Sequence, residues 1–250
     1  MDFLDSSRIA NRFEYVESTG STNTDLVAQA TTSPVDFPHL SVLVAGSQTA
    51  GRGRTGRAWV SPAGKSLSIS VLVRPNWTPE QLGWLPLVAG VAMRSAISEV
   101  LPEKAVALKW PNDVQVGGLK IAGILAELLP NLTGVVIGAG LNLTLSKAEL
   151  PIEAATSLLL EGAEVSADEI LSGYLNHLKN LTEDFDGVPG LVRAACSTIG
   201  LPVKAILPSD EEVFGTAVGI DETGRLLIQV GASEQLFAVS AGDVTHLRHN

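Results

Sequence analysis

Cysteine is all but missing from this chain. Cys196 is the single one in 250 residues, which excludes a disulfide framework and any thiolate zinc cluster. Histidine is scarce too, with four residues scattered at no metal-ligand spacing. No apolar run reaches the roughly 18 residues that a membrane-spanning helix needs. Asp2 and Asp5 stand where a secretory signal would carry basic residues and then an apolar stretch, so a reducing, cytoplasmic setting is expected. Positive charge is also short, since 17 Lys and Arg against 27 Asp and Glu leave a net charge of −10. The deficit is uneven: residues 1–127 hold 11 of each sign, whereas residues 128–250 hold 6 basic and 16 acidic ones. A protein that grips nucleic acid through its phosphates needs a basic face, so this composition argues against DNA or RNA as the main partner. What the chain does have is apolar mass. Hydrophobic residues make up 45% and mean hydropathy is +0.25, which suits one large domain, or a medium one with an appendage.

The first 20 residues read as a short lead-in. Ser21-Thr22-Asn23 then precedes DLVAQA as a helix N-cap. SVLVAG (41–46) predicts a buried strand, and SLSISVLV (66–73) alternates Ser with apolar residues at the period of a half-buried one. Residues 80–100 predict a helix closed by Pro102, and VALKW (106–110) a strand. NDVQV, Gly117-Gly118 and LKIAGILAELL predict a hairpin with a Gly-Gly turn, followed by a strand over 134–143. Helices are predicted over about 167–184 and 187–199. From Val203 the chain changes character: VKAIL, VFGTAVGI, RLLIQV and EQLFAV predict short strands, with DETG and GAS between them. Residues 1–200 are therefore expected to form an α+β body, and 201–250 a small all-β module.

Residues 46–59, GSQTAGRGRTGRAW, carry most of the chemistry. Gly51, Gly53 and Gly56 satisfy the dinucleotide fingerprint, but no helix opens after them to hold a pyrophosphate; Trp59, Pro62 and Gly64 follow instead. Gly64-Lys65-Ser66 imitates the end of a Walker A loop, and Trp59 stands where its first Gly belongs. Both matches fail. Arg52, Arg54 and Arg57 among glycines still point to a loop that folds over an anion, because arginine presents a planar fork to carboxylate or phosphate. A solvated surface loop and an Arg-Gly RNA contact remain open on the residues alone. The second cluster is Lys109-Trp110-Pro111-Asn112-Asp113 with Lys120-Ile121-Ala122-Gly123. Lys120 sits in an apolar strand, where it either meets an anion or snorkels to water. Asn112-Asp113 is equally a turn pair.

Taken in order, Ser21-Thr22-Asn23, Gln48, GRGRTGRAW (51–59), KWPND (109–113), KIAGILAE (120–127) and GAGLNL (138–143) resemble the biotin protein ligases across roughly residues 15–250. The resemblance implies an α+β fold. Its mixed-sheet catalytic domain would be like the class II aminoacyl-tRNA synthetases and the biotin and lipoate ligases, with a small C-terminal all-β barrel. It also implies an enzyme that makes biotinyl-5′-AMP from biotin and ATP, then hands biotin to a lysine of the biotin carboxyl carrier domain of a biotin-dependent carboxylase.

By that likeness Ser21, Thr22, Asn23, Gln48, Arg52, Gly53, Arg54, Lys120 and Gly123 bind biotin. Arg52, Arg54, Arg57, Trp59, Asn112, Lys120 and Asn142 bind ATP or the adenylate, with Asn142 at the adenine edge. Lys120, Arg54 and Asp113 carry the catalysis. Asp113 either holds Mg²⁺ or orients Lys120, Ser21 keeps its alternative as a helix cap, and Trp59 as a core residue. The mixed anhydride is itself the activated acyl group, so no protein nucleophile is required, and Cys196 is left as an ordinary buried thiol. Some members of the family carry an N-terminal DNA-reading domain; at most 20 residues precede Ser21, so the ligase-only form, without DNA binding, is expected. A lipoate or octanoate ligase, a nucleic-acid regulator and a non-catalytic biotin sensor are the alternatives.

Overall fold

The computed structural model describes residues 2–231 and 235–247. Seven strands form a mixed sheet in the order β1-β2-β3-β7-β6-β5-β4. These are β1 (Arg12–Val16), β2 (Ser41–Ala45), β3 (Ser66–Val73), β4 (Val106–Lys109), β5 (Asp113–Val116), β6 (Leu119–Leu128) and β7 (Val135–Asn142). The β1–β2 pair is parallel and the other ladders are antiparallel. Helix α2 (Thr22–Thr32) packs on β3 and β7, while α3 (Leu85–Val100) packs on β4, β5 and β6 and is backed by α5 (Ala167–Glu183), which follows the single-turn α4 (Leu158–Glu161). The larger core lies on the α3 side, around Ile69, Val71, Trp84, Met93, Leu108 and Ile137, and a smaller one lies under α2, around Leu26, Phe37, Leu43, Leu72 and Val136.

Several expectations need correction. The N-terminal lead-in is structured: α1 (Leu4–Ile9) and β1 precede α2. Asp168 on α5 accepts from the Asp5 and Ser6 N–H groups and from Ser6 Oγ, which fastens α1 to the body. β3 is buried along its whole length rather than half-buried. Its serines face α2, where Ser70 meets Thr22 and Asn23, and not solvent. The helix expected from 80 begins as a 3-10 turn, Gln81–Trp84, and becomes α-helical at Leu85 with Pro86 in its first turn. The one expected over 187–199 ends early, as α6 (Val188–Ala195), because Cys196 comes to lie beside Leu108 of β4 and the Ser197 N–H donates to the Leu108 carbonyl. α5 begins where expected, its Ser166 cap accepting from the Glu169 N–H. The β5–β6 hairpin turns at Gly117 and Gly118, both at positive φ (56° and 85°), as a two-residue Gly-Gly turn requires.

The C-terminal module is a five-stranded antiparallel sheet in the order β11-β10-β9-β8-β12. Its strands are β8 (Pro202–Ile206), β9 (Glu212–Ile220), β10 (Leu226–Gln229), β11 (Leu236–Val239) and β12 (Asp243–His246). β12 adds to the four expected strands. Of the expected GAS turn and the EQLFAV strand, residues 232–234 lie outside the described residues. Two buried tryptophans tie module to body: Trp84 Nε1 donates to the Glu222 carbonyl (2.8 Å) and Trp110 Nε1 to that of Gly224 (3.1 Å). Among the described residues no helix is long and apolar enough to cross a membrane.

Candidate active site

A cavity of about 340 Å³ opens above the sheet between α2, the 48–61 loop, the β4–β5–β6 corner and β12. That size suits a small-molecule ligand. Ser21, Thr22, Asn23, Gln48, Arg52, Gly53, Arg54, Arg57, Trp59, Asn112, Asp113, Lys120 and Gly123 all line it. One expected residue does not. Asn142 is 3% exposed and its Nδ2 donates to the Thr156 carbonyl (2.9 Å). Thr156 N–H bonds in turn to the Lys120 carbonyl (2.8 Å), while Lys120 N–H bonds to Ala154. Asn142 therefore pins the strap that holds the Lys120 backbone.

One end of the cavity is neutral and polar. Thr22 donates to Gln48 Oε1 from both its N–H (2.9 Å) and its Oγ1 (3.1 Å). Gln48, not Ser21, thus caps α2; Ser21 occupies the N-cap position but makes no side-chain cap bond. Asn23 Nδ2 donates to the Leu125 carbonyl (3.1 Å) and to Glu127 (2.8 Å), while its Oδ1 lies 2.7 Å from Ser70 Oγ. Every polar atom of Asn23 is engaged. The wall beneath is stripped of side chains: a Cβ at Gly138 would fall 2.5 Å from Asn23 Oδ1, and one at Gly140 would fall 2.2 Å from the Trp59 ring.

The other end is cationic. Five Lys or Arg and two Asp line the cavity, a local excess of positive charge on a chain whose net charge is −10. Lys120 Nζ lies 2.5 Å from Asp113 Oδ1 and 6.0 Å from the centre of the Trp59 ring. Arg52 pairs with Glu127 (3.0 Å), and Arg57 with Asp243. Arg54 reaches the Gly242 carbonyl (3.4 Å). Burial lowers its pKa, against the pull of Asp243 and Asp113. The loop itself folds back in rungs, with Gly53 N–H on Arg57, Arg57 N–H on Arg54 and Trp59 N–H on Gly51. Asn112 locks the corner, exchanging bonds with Ile124 through its own carbonyl and its Nδ2.

Sequence reasoning missed four contributors. Lys109 lines the cavity, and its pKa is lowered by burial first, with Lys120 and Arg57 adding to the effect while Asp113 and Asp243 oppose it. Its place inside KWPND was the available signal. Asp243 comes from β12, whose sequence DVTH has no strand pattern to find. Ser68 and Ser70 lay hidden in what reads as a solvent face. Among the described residues no group of three or more His, Cys, Asp or Glu converges to hold a metal ion.

Comparison with known proteins agrees with this geometry. Residues 15–142 match the Biotin/lipoate A/B protein ligase family and residues 198–247 the Biotin protein ligase C terminal domain. The chain is 41% identical over 244 residues to the biotin–[acetyl-CoA-carboxylase] ligase of Mycobacterium tuberculosis, covering 95% of this chain and 90% of that protein. It is 35% identical to the bifunctional ligase/repressor BirA of Escherichia coli, over 74% of this chain and 60% of that one. Its fold superposes on the Aquifex aeolicus biotin protein ligase solved with biotin and ATP at a TM-score of 0.76 and 27% identity, covering 95% of this chain and all of the other. With family matches at both ends and a relative of this identity along nearly its whole length, the chain belongs to the biotin/lipoate A/B protein ligase family.

Proposed function

We propose that this chain activates biotin with ATP and transfers it to a lysine of a biotin carboxyl carrier domain. One observation carries this reading: a single cavity joins a neutral hydrogen-bonding end to a cationic end. Biotin and ATP have that same division, a neutral ureido ring at one end and carboxylate plus phosphates at the other. The relative from Aquifex aeolicus was solved with both compounds, and the one from Mycobacterium tuberculosis is named for acetyl-CoA carboxylase as acceptor.

In the first step the biotin carboxylate attacks the α-phosphorus of ATP and pyrophosphate leaves. Two anions must meet, so the site has to supply fixed positive charge where they do. Lys120 would supply it, supported by the Asp113 carboxylate beside its ammonium and by the backbone bonds to Ala154 and Thr156. Arg52 and Arg54 cover the carboxylate and α-phosphate, while Lys109 and Arg57 take the departing phosphates. In the second step the carrier lysine amine attacks the acyl carbon of the mixed anhydride and AMP leaves with the bond electrons. Mg²⁺ would enter as the counter-ion of ATP and supply charge neutralisation. Asp113 is the residue that would hold it, since one carboxylate plus substrate phosphates is an ordinary Mg²⁺ donor set. Residues 1–200 would form the catalytic body, with the module of 201–250 closing the phosphate side through Asp243.

The test is incubation with ATP, labelled biotin and an isolated carrier domain. Label on the carrier lysine, absent without ATP, is the expected result. Label that follows lipoate or octanoate in a substrate panel, and not biotin, would replace this reading with the other branch of the family.

A further inference from the structure

The three serines of β3 share one face of the strand and are all buried, yet they meet different surroundings. Ser70 is paired with Thr22 and Asn23. Ser66 Oγ and Ser68 Oγ have no hydrogen-bond partner among the described residues. Of these two, only Ser68 lines the cavity. A buried hydroxyl without a partner is unfavourable, and native structures leave few of them without a reason. Ser68 is 2% exposed, so bulk water is not its usual partner either.

Its neighbours explain why none of the described residues reaches it. Across the ladders Ser68 faces Gly140 on β7 and Ala45 on β2. The space over Gly140 holds the edge of Trp59, whose Nε1 is also unpartnered. Along the strand, Ser68 lies one step from Ser70 and the closed Thr22–Asn23–Gln48 network. It is thus the open hydroxyl between the neutral end of the cavity and Trp59.

We propose that Ser68 is a specificity-determining residue: its hydroxyl hydrogen-bonds the polar bicyclic head of bound biotin. The inference rests on the biotin reading above. It selects against a plain fatty acyl substrate, because an octanoyl chain offers no hydrogen-bonding atom at this depth. Such a chain would cover Ser68 and leave it unpaired, and sites built around a polar contact reject analogues that lack it.

The experiment is calorimetric titration of biotin and of octanoate into wild type, Ser68→Ala and Ser66→Ala, with melting curves of each protein with and without biotin. Ser68→Ala should weaken biotin binding about tenfold, which is about 1.4 kcal/mol, and lower the biotin-to-octanoate affinity ratio by the same factor. Ser66→Ala should stay within twofold of wild type. Free of ligand, Ser68→Ala should melt at or above wild type, since it deletes an unpaired hydroxyl. With saturating biotin it should gain less than wild type. Biotin binding by Ser68→Ala within twofold of wild type would overturn the proposal, as would an equal loss in both variants. Should Ser68→Ala not fold, Ser68→Cys keeps the size with a weaker donor, and unchanged affinity there would overturn it equally. Wild type that fails to bind biotin at all would instead overturn the biotin reading, and this inference with it.

Discussion

The two ends of the cavity are built on opposite plans. At the neutral end the polar side chains bond mostly to one another: Thr22 to Gln48, Ser70 to Asn23, and Asn23 onward to Leu125 and Glu127. Their rotamers are set before a ligand arrives. At the charged end Lys120 leans on Asp113 and Arg57 on Asp243, while Arg52 joins the two ends through Glu127, the carboxylate that Asn23 also meets. A phosphate can take over most readily from Asp243, because the Arg57–Asp243 pair is exposed and such pairs contribute only about 0–1 kcal/mol. A fixed end suits a group that must be recognised. An exchangeable end suits phosphates that arrive together and depart in pieces.

The sharpest break of the charged end is Lys120→Ala. Adenylate formation, followed as biotin-dependent pyrophosphate release, should fall by roughly 10²–10³-fold, the usual loss for one preorganised charge-stabilising donor. The melting temperature should hardly change, since the Lys120 side chain is a partly exposed one and not a core group. The matching break of the neutral end is Gly138→Ala, which drives a methyl into Asn23. Biotin affinity should drop by roughly 100-fold while ATP affinity is kept, because overpacking and a lost buried bond cost about 2–3 kcal/mol together. Loss of ATP binding as well would show that the ends are not separable.

Smaller effects sharpen the contrast. Arg54→Gly removes one charge-assisted bond worth about 1.5–3 kcal/mol, so biotinyl-5′-AMP should escape roughly 10- to 100-fold faster. Labelling of a bystander protein without a carrier domain reads that leak, and labelling no greater than wild type would remove Arg54 as a lid. Asp243→Asn frees Arg57 from its carboxylate, so ATP should bind tighter, by at most about fivefold given the exposure of the pair. Hydrogen exchange across residues 50–59 should quicken without ligand. The smallest change is a shift along the pH axis. Burial, then Lys120 and Arg57, lower the Lys109 pKa. Its charge is therefore lost at a lower pH than an ordinary lysine's, and ATP affinity should fall on the alkaline side correspondingly early. Lys109→Arg should move that fall to higher pH, and an unmoved profile would take Lys109 out of the phosphate site.

How far the sequence could be read follows the same division. Short motifs were legible because their chemistry is local: the Arg-Gly loop, KWPND and Lys120 announce an anion, and the structure gathers them at one cavity. What depends on remote pairing was not. β1 (Arg12–Val16) alternates charged and aromatic residues, but as a lone five-residue stretch in the lead-in it gives no sign of its parallel ladder with β2. β12 is a polar tetrapeptide that becomes a strand only beside β8, and it delivers Asp243 to a loop 186 residues away in the chain. Period-two alternation in β3 marked its two faces correctly, but cannot distinguish water from a helix and a ligand cavity as what covers the serines. Asn142 shows the same limit: no local pattern announces the bond from its Nδ2 to the Thr156 carbonyl, which comes from a strap 14 residues further on.

The central claim is that one cavity brings biotin's carboxylate and the α-phosphate of ATP together over Lys120. Biotin-dependent exchange of labelled pyrophosphate into ATP, with no acceptor protein present, measures that step alone. Exchange that requires biotin, is lost in Lys120→Ala and survives Asp243→Asn is the expected result. Exchange at the wild-type rate in Lys120→Ala, or none in folded wild type with both substrates saturating, would contradict it.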